Sequence, residues 1–108
     1  MTRRATLGAA AALLLAVPFM PATARAEGDA ANGHVLSRQW CTGCHVVEAT
    51  GKGSDTAPSF AAIAADPATT PQRIHGFLAK PHPPMPNPPL ANGEIDDITA
   101  YILSLRKP

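Results

Sequence analysis

Ile95, Ile98, Ile102 and Leu105 follow one another at steps of 3, 4 and 3, which places all four on one face of a helix from about Glu94 to Leu105. A second apolar side, formed by Val35, Leu36 and Trp40, predicts a helix from about Ala30 to Trp40 with Asp29 as its N-cap. Thr70-Pro71 is a capping residue followed by a proline whose missing N–H is harmless in a first turn. It opens a helix through Ile74, Phe77 and Leu78 that ends at Lys80, because Pro81 steers the residue before it out of the helical region. Phe60 to Ala65 reads as a short helical piece, Val46 to Ser59 as a polar loop with Gly51 and Gly53, and no segment as a strand. The expected fold class is all-α, with three main helices joined by turns.

The first residues belong to a different pattern. Arg3 and Arg4 precede an uncharged run from Ala5 to Val17 that contains Leu13-Leu14-Leu15, and Ala24-Arg25-Ala26 offers a small-residue cleavage site. This is the layout of a secretory signal peptide over residues 1–26. The competing reading, an uncleaved anchor, is opposed by the shortness of the run and by Pro18 and Pro21. A single domain then occupies residues 27–108, with no internal repeat. Its 82 residues (108 less 26) make a marginal core, and only Trp40, Phe60, Phe77 and Tyr101 give it aromatic bulk.

Removing the leader changes the charge. The 9 Lys+Arg lose Arg3, Arg4 and Arg25, leaving 6 against 8 Asp+Glu, a net of −2. No lysine cluster or basic stripe remains, which disfavours nucleic acid as a partner.

The chemistry is concentrated in Cys41-Thr42-Gly43-Cys44-His45. Cys-x-x-Cys-His is the attachment site of a c-type haem. Two thiols add across the two vinyl groups on one edge of the macrocycle, and the spacing lets both sulfurs face that edge from one helical turn. The next residue, His45, projects its imidazole under the ring to ligate the iron. A thioredoxin-like pair would sit in a βαβ context, which no strand pattern here supplies. A structural zinc site needs four ligands, and the chain has only 2 cysteines. A local disulfide is the remaining alternative. One covalently held haem c would fill the centre that so small a core lacks.

Iron held by His45 has a sixth position to fill. Met85 lies inside Pro81 to Pro89, where six of nine residues are proline. A thioether is a soft, neutral, weak ligand that favours ferrous iron, so the chain must hold it in place. Prolines that fix φ do so at little entropic cost. His82, three residues upstream, is the rival ligand, and a proline-recognition segment or a core-filling methionine are further readings of the loop. His34 and His75 fall on helices and are expected at the surface or near the propionates.

In this order of parts the chain resembles a small mono-haem class I c-type cytochrome over essentially all of Glu27 to Pro108. The resemblance rests on Gly28-Asp29 and Gly33, then Cys41 to His45, Pro58, Met85-Pro86, and Glu94 to Ile102. It implies a cytochrome c fold wrapped around the haem, with Cys41 and Cys44 carrying the thioethers and His45 and Met85 as axial ligands. It further implies that the carbonyl of Pro58 accepts from the other nitrogen of His45, and that Gly33 lets the first helix cross close to Ile98 and Tyr101. Ala91 stands where the family often has Ser or Thr, so the capping box is expected to be lost and Asn92 to cap instead. The lysine ring of mitochondrial members is absent.

The resemblance implies a periplasmic one-electron carrier, a monomer without a membrane span, not an enzyme. It would shuttle between a redox-protein donor and acceptor such as a dehydrogenase, an oxidase or a reductase. The alternatives are a haem subunit held on one dehydrogenase, or a peroxidase or gas-binding protein if the methionine is labile. No acid–base pair for the last of these is readable in the sequence.

Overall fold

The computed structural model describes residues 28–53 and 57–108, with the isolated positions 1, 2 and 18. Apart from those three positions, the expected signal peptide lies outside the described residues. The described chain forms α1 (Ala30–Trp40), α2 (Phe60–Ala65), α3 (Pro71–Ala79) and α4 (Asn92–Ser104), and no strand forms among the described residues.

Each of the first three helices begins where a side-chain oxygen meets an orphan backbone N–H. The Asp29 carboxylate accepts from the backbone of Ala31 and Asn32 at 2.9 and 3.2 Å. Ser59 accepts from Ala62, and Thr70 from Arg73, each at 3.1 Å. A cap of this kind stabilises a helix by about 1 kcal/mol. Pro71 opens α3 directly after its cap, as the sequence predicts.

α4 starts differently from expectation. Its N-cap is Ala91, and Asn92 is the first helical residue rather than the cap. The reason is a reach-back from Glu94, whose carboxylate accepts from the Ala91 backbone N–H at 2.8 Å. Half of a capping box therefore survives, while the alanine supplies no oxygen for the other half. The helix ends at Ser104, leaving Leu105 as its C-cap.

α1 lies against α4, and the contact is closest at Gly33. A Cβ there would sit 1.9 Å from the Asp97 carbonyl oxygen and 2.9 Å from the Ile98 nitrogen, so only glycine permits this crossing. The crossing also decides which face of α1 is buried. Gly33, Leu36 and Ser37 turn inward, whereas Val35 and Trp40, expected to share the inner side with Leu36, are 62% and 41% exposed. Ser37 tolerates full burial because its hydroxyl donates to the Gly33 carbonyl at 2.7 Å.

Polar ties lock the helices together. The Asp97 carboxylate accepts from the Asp29 backbone at 2.6 Å and from the Asn32 amide at 2.7 Å. Arg106, just past α4, donates from Nε to the Ala64 carbonyl and from Nη2 to the Thr69 carbonyl, both at 2.9 Å. It thereby satisfies a carbonyl at the C-terminal end of α2, where the helix has no partner of its own. Ile95, Ile98, Tyr101 and Ile102 of α4 pack with Leu36, Phe60, Ile74 and Leu78 as one apolar cluster. Among the described residues, no helix is long and apolar enough to cross a membrane.

Candidate cofactor site

α1 does not stop cleanly at Trp40. The backbone N–H of Cys41 donates to the Ser37 carbonyl at 2.9 Å, and His45 in turn donates to the Cys41 carbonyl at 2.9 Å. The chain thus winds on for another turn. Winding of this kind brings residues three and four apart to neighbouring positions, so Cys41, Cys44 and His45 share one side. All three line a largely apolar cleft of about 660 Å³. That volume lies within the range of about 300–1,000 Å³ usual for cofactor clefts.

Three other segments complete the cleft. The loop after the motif returns through Ala57 and Pro58 to Phe60 and Ile63 of α2. α3 contributes Ile74, Phe77 and Leu78, and the proline-rich loop contributes His82, Met85 and Pro86. The 46–59 loop is closed at its base, where the Phe60 N–H donates to the Val46 carbonyl at 2.9 Å.

That closure brings Pro58 to His45. Nδ1 of His45 lies 2.6 Å from the Pro58 carbonyl oxygen. A carbonyl can only accept, so Nδ1 carries the proton and Nε2 keeps its lone pair. The imidazole also leans on the Phe60 ring, with centroids 5.3 Å apart. The ring is therefore oriented and in the right tautomer to act as a ligand.

The two cysteines differ in environment. Cys41 is buried and Cys44 exposed. Burial pushes the Cys41 thiol up to about 11. A thioredoxin-like pair sits in a βαβ context, and no strand forms among the described residues. Among the described residues, no three His, Cys, Asp or Glu side chains are grouped to hold a metal ion, so the zinc reading finds no support either.

Met85 is half-buried against the apolar cluster, and its N–H donates to the His82 carbonyl at 2.8 Å. Pro84, Pro86 and Pro88 line the same cleft. His82 lines it too, with its ring edge-on to Phe77 at 5.3 Å. His34 and His75 do not line it. His34 contacts Glu48 at 3.0 Å and stacks on Tyr101 at 4.7 Å, and His75 contacts Asp96 at 3.0 Å. The structure thus gathers Cys41, Cys44, His45, Pro58 and Met85 on one cleft and leaves His34 and His75 at surface ties.

Other lining residues were not evident in the sequence. Asp66, Thr69 and Arg73 all reach the wall, and among the described residues Arg73 is its sole arginine, with no lysine beside it. Its guanidinium lies 5.9 Å from the centre of the Phe77 ring. Phe77, expected inward with Ile74 and Leu78, is 43% exposed at the rim. Two thiols and a tethered imidazole in one cleft are the groups by which a haem c is attached and ligated, and the apolar walls, which include Met85, suit its macrocycle.

A sequence model for cytochrome c matches residues 30–106. Cytochrome c-552 of Bradyrhizobium diazoefficiens is 45% identical over 96 residues, covering 87% of this chain and 90% of the relative. No solved structure matches the chain.

Proposed function

We propose a function from the premise these matches establish: the chain belongs to the cytochrome c family, electron carriers rather than enzymes, with a covalently attached haem c. The finer reading is an exported one-electron shuttle in which His45 and Met85 would hold the iron and Cys41 and Cys44 would carry the thioethers. The observation that supports it most is the 2.6 Å contact between His45 Nδ1 and the Pro58 carbonyl, which leaves Nε2 available to the cleft.

Haem c bound here supplies a one-electron couple. The protein's residues set its terms. The Pro58 carbonyl keeps the His45 ring from rotating and raises its basicity. The Met85 thioether favours the reduced state and raises the potential, and the prolines around it limit the entropy lost on ligation. Two protein ligands leave no position for a substrate, which suits transfer without bond chemistry.

The leader-like residues 1–26 support export, and the periplasm is the compartment proposed. Donor and acceptor are then redox proteins such as a dehydrogenase, an oxidase or a reductase. They would meet the carrier at the apolar rim, where Trp40, Phe77 and Pro86 stand exposed.

The test is the visible spectrum of the oxidised protein at its red end, where sulfur-to-iron ligation absorbs weakly. A band there that disappears in Met85→Ala supports the reading. Absence of the band, with ready carbon monoxide binding after reduction, would mean an open sixth position and a peroxidase or gas-binding role.

A further inference from the structure

We propose that His82 is a reserve axial ligand, which takes the sixth position when the Met85 thioether is withdrawn. The inference rests on the reading that His45 and Met85 hold the iron.

The chain has 4 histidines. His45 is committed to one face of the cleft. His34 and His75 are engaged with Glu48 and Asp96 and lie outside the cleft wall. Of the three histidines other than His45, only His82 lines the cleft with Met85. Both donors stand on a single turn, closed by the bond from the Met85 N–H to the His82 carbonyl. A movement that withdraws the thioether is therefore a movement of the segment that also carries the imidazole.

The His82 ring is only lightly held. It is exposed, meets Phe77 edge-on at 82° and makes a long 3.3 Å contact from Nδ1 to the Pro83 carbonyl. With a carbonyl facing Nδ1, the lone pair again rests on Nε2, the arrangement found at His45. Imidazole suits iron well, so the thioether holds its place through the bracing of the loop rather than through greater strength as a ligand. His82 would thus keep the iron six-coordinate and closed to small ligands, at a lower potential than His/Met ligation gives.

The experiment compares four haem-loaded proteins: the unaltered chain, Met85→Ala, Met85→Ala with His75→Ala, and Met85→Ala with His82→Phe. The phenyl ring preserves the aromatic contact with Phe77, and a further pair with His82→Gln covers any failure of the first to fold. Spin state, carbon monoxide binding after reduction and reduction potential are read for each. The expected result is a low-spin spectrum, slow carbon monoxide binding and a lowered potential in Met85→Ala, with or without His75. Loss of the low-spin spectrum and rapid carbon monoxide binding are expected only when His82 is also replaced. A Met85→Ala protein as high-spin and as open as the His82 double variants would overturn the proposal. Failure of the underlying His/Met reading shows separately, as a missing red-end band in the unaltered protein.

Discussion

Nδ1 of His45 and the carbonyl oxygen of Pro58 are 2.6 Å apart across thirteen positions of chain. The acceptor is backbone, so the side chain at position 58 acts on this bond only by fixing φ. Pro58→Ala keeps the carbonyl but frees the segment that presents it. The expected outcome is a weaker tether, a less basic imidazole and a reduction potential shifted upward, read by redox titration. Stability should fall by about 0.4–1 kcal/mol, through the greater freedom of the unfolded chain.

Gly33 is the tightest point of the fold. In Gly33→Ala the new Cβ meets the Asp97 carbonyl at 1.9 Å, and that backbone cannot swing aside as a side chain would. α1 and α4 must separate, and overpacking of this kind costs about 3 kcal/mol or more. Denaturant unfolding of the haem-loaded protein should show a lower midpoint. An unchanged midpoint would mean that α1 does not cross α4 at this residue.

Tyr101 supplies a pH dependence. Its hydroxyl donates to the Val47 carbonyl at 2.6 Å, and burial first, then the nearby Glu48 charge, push its pKa above the ordinary 10.0. The folded state therefore holds the proton more tightly than the unfolded chain does. Its contribution is fully present below pH 10 and is lost as pH rises from there through the folded value. Tyr101→Phe should flatten that alkaline decline. At neutral pH it should cost about 1–3 kcal/mol, because the Val47 carbonyl loses its donor.

Among the described residues the charges on the cleft wall are sparse and mixed, Arg73 and Asp66, with no lysine beside them. Long-range steering needs a field of one sign. Electron-transfer rates with a purified redox partner should therefore vary little with ionic strength in stopped-flow measurements. A steep fall with added salt would locate the docking surface away from this rim.

The haem motif, the Met85 loop and three of the helix starts were legible because each depends on residues adjacent in sequence. Asp29, Ser59 and Thr70 cap what immediately follows them. The start of α4 was misread because a carboxylate three residues downstream stands in for the missing cap. The inner face of α1 was misread for a longer-range reason. Val35 and Trp40 are apolar and suitably spaced, but a glycine crossing with α4 sets the rotation of the helix, and no local pattern encodes that. Arg73 was missed because a polar residue on an amphipathic helix looks solvated until the neighbouring loop is in place, and Thr69 because it lies in the turn before α3, where no pattern marks an inward residue.

The tie between Asp29 and Asp97 spans 68 positions, Tyr101 reaches Val47 across 54, and Arg106 reaches Ala64 across 42. Each tie ends on α4 or on Arg106, two residues past it. A chain that stops short of α4 lacks the partner of all three ties, however well its earlier helices form. The C-terminal segment is thus the common anchor of the entrance to α1, of the loop after Cys44 and of the end of α2, so trimming residues from that end would loosen all three at once.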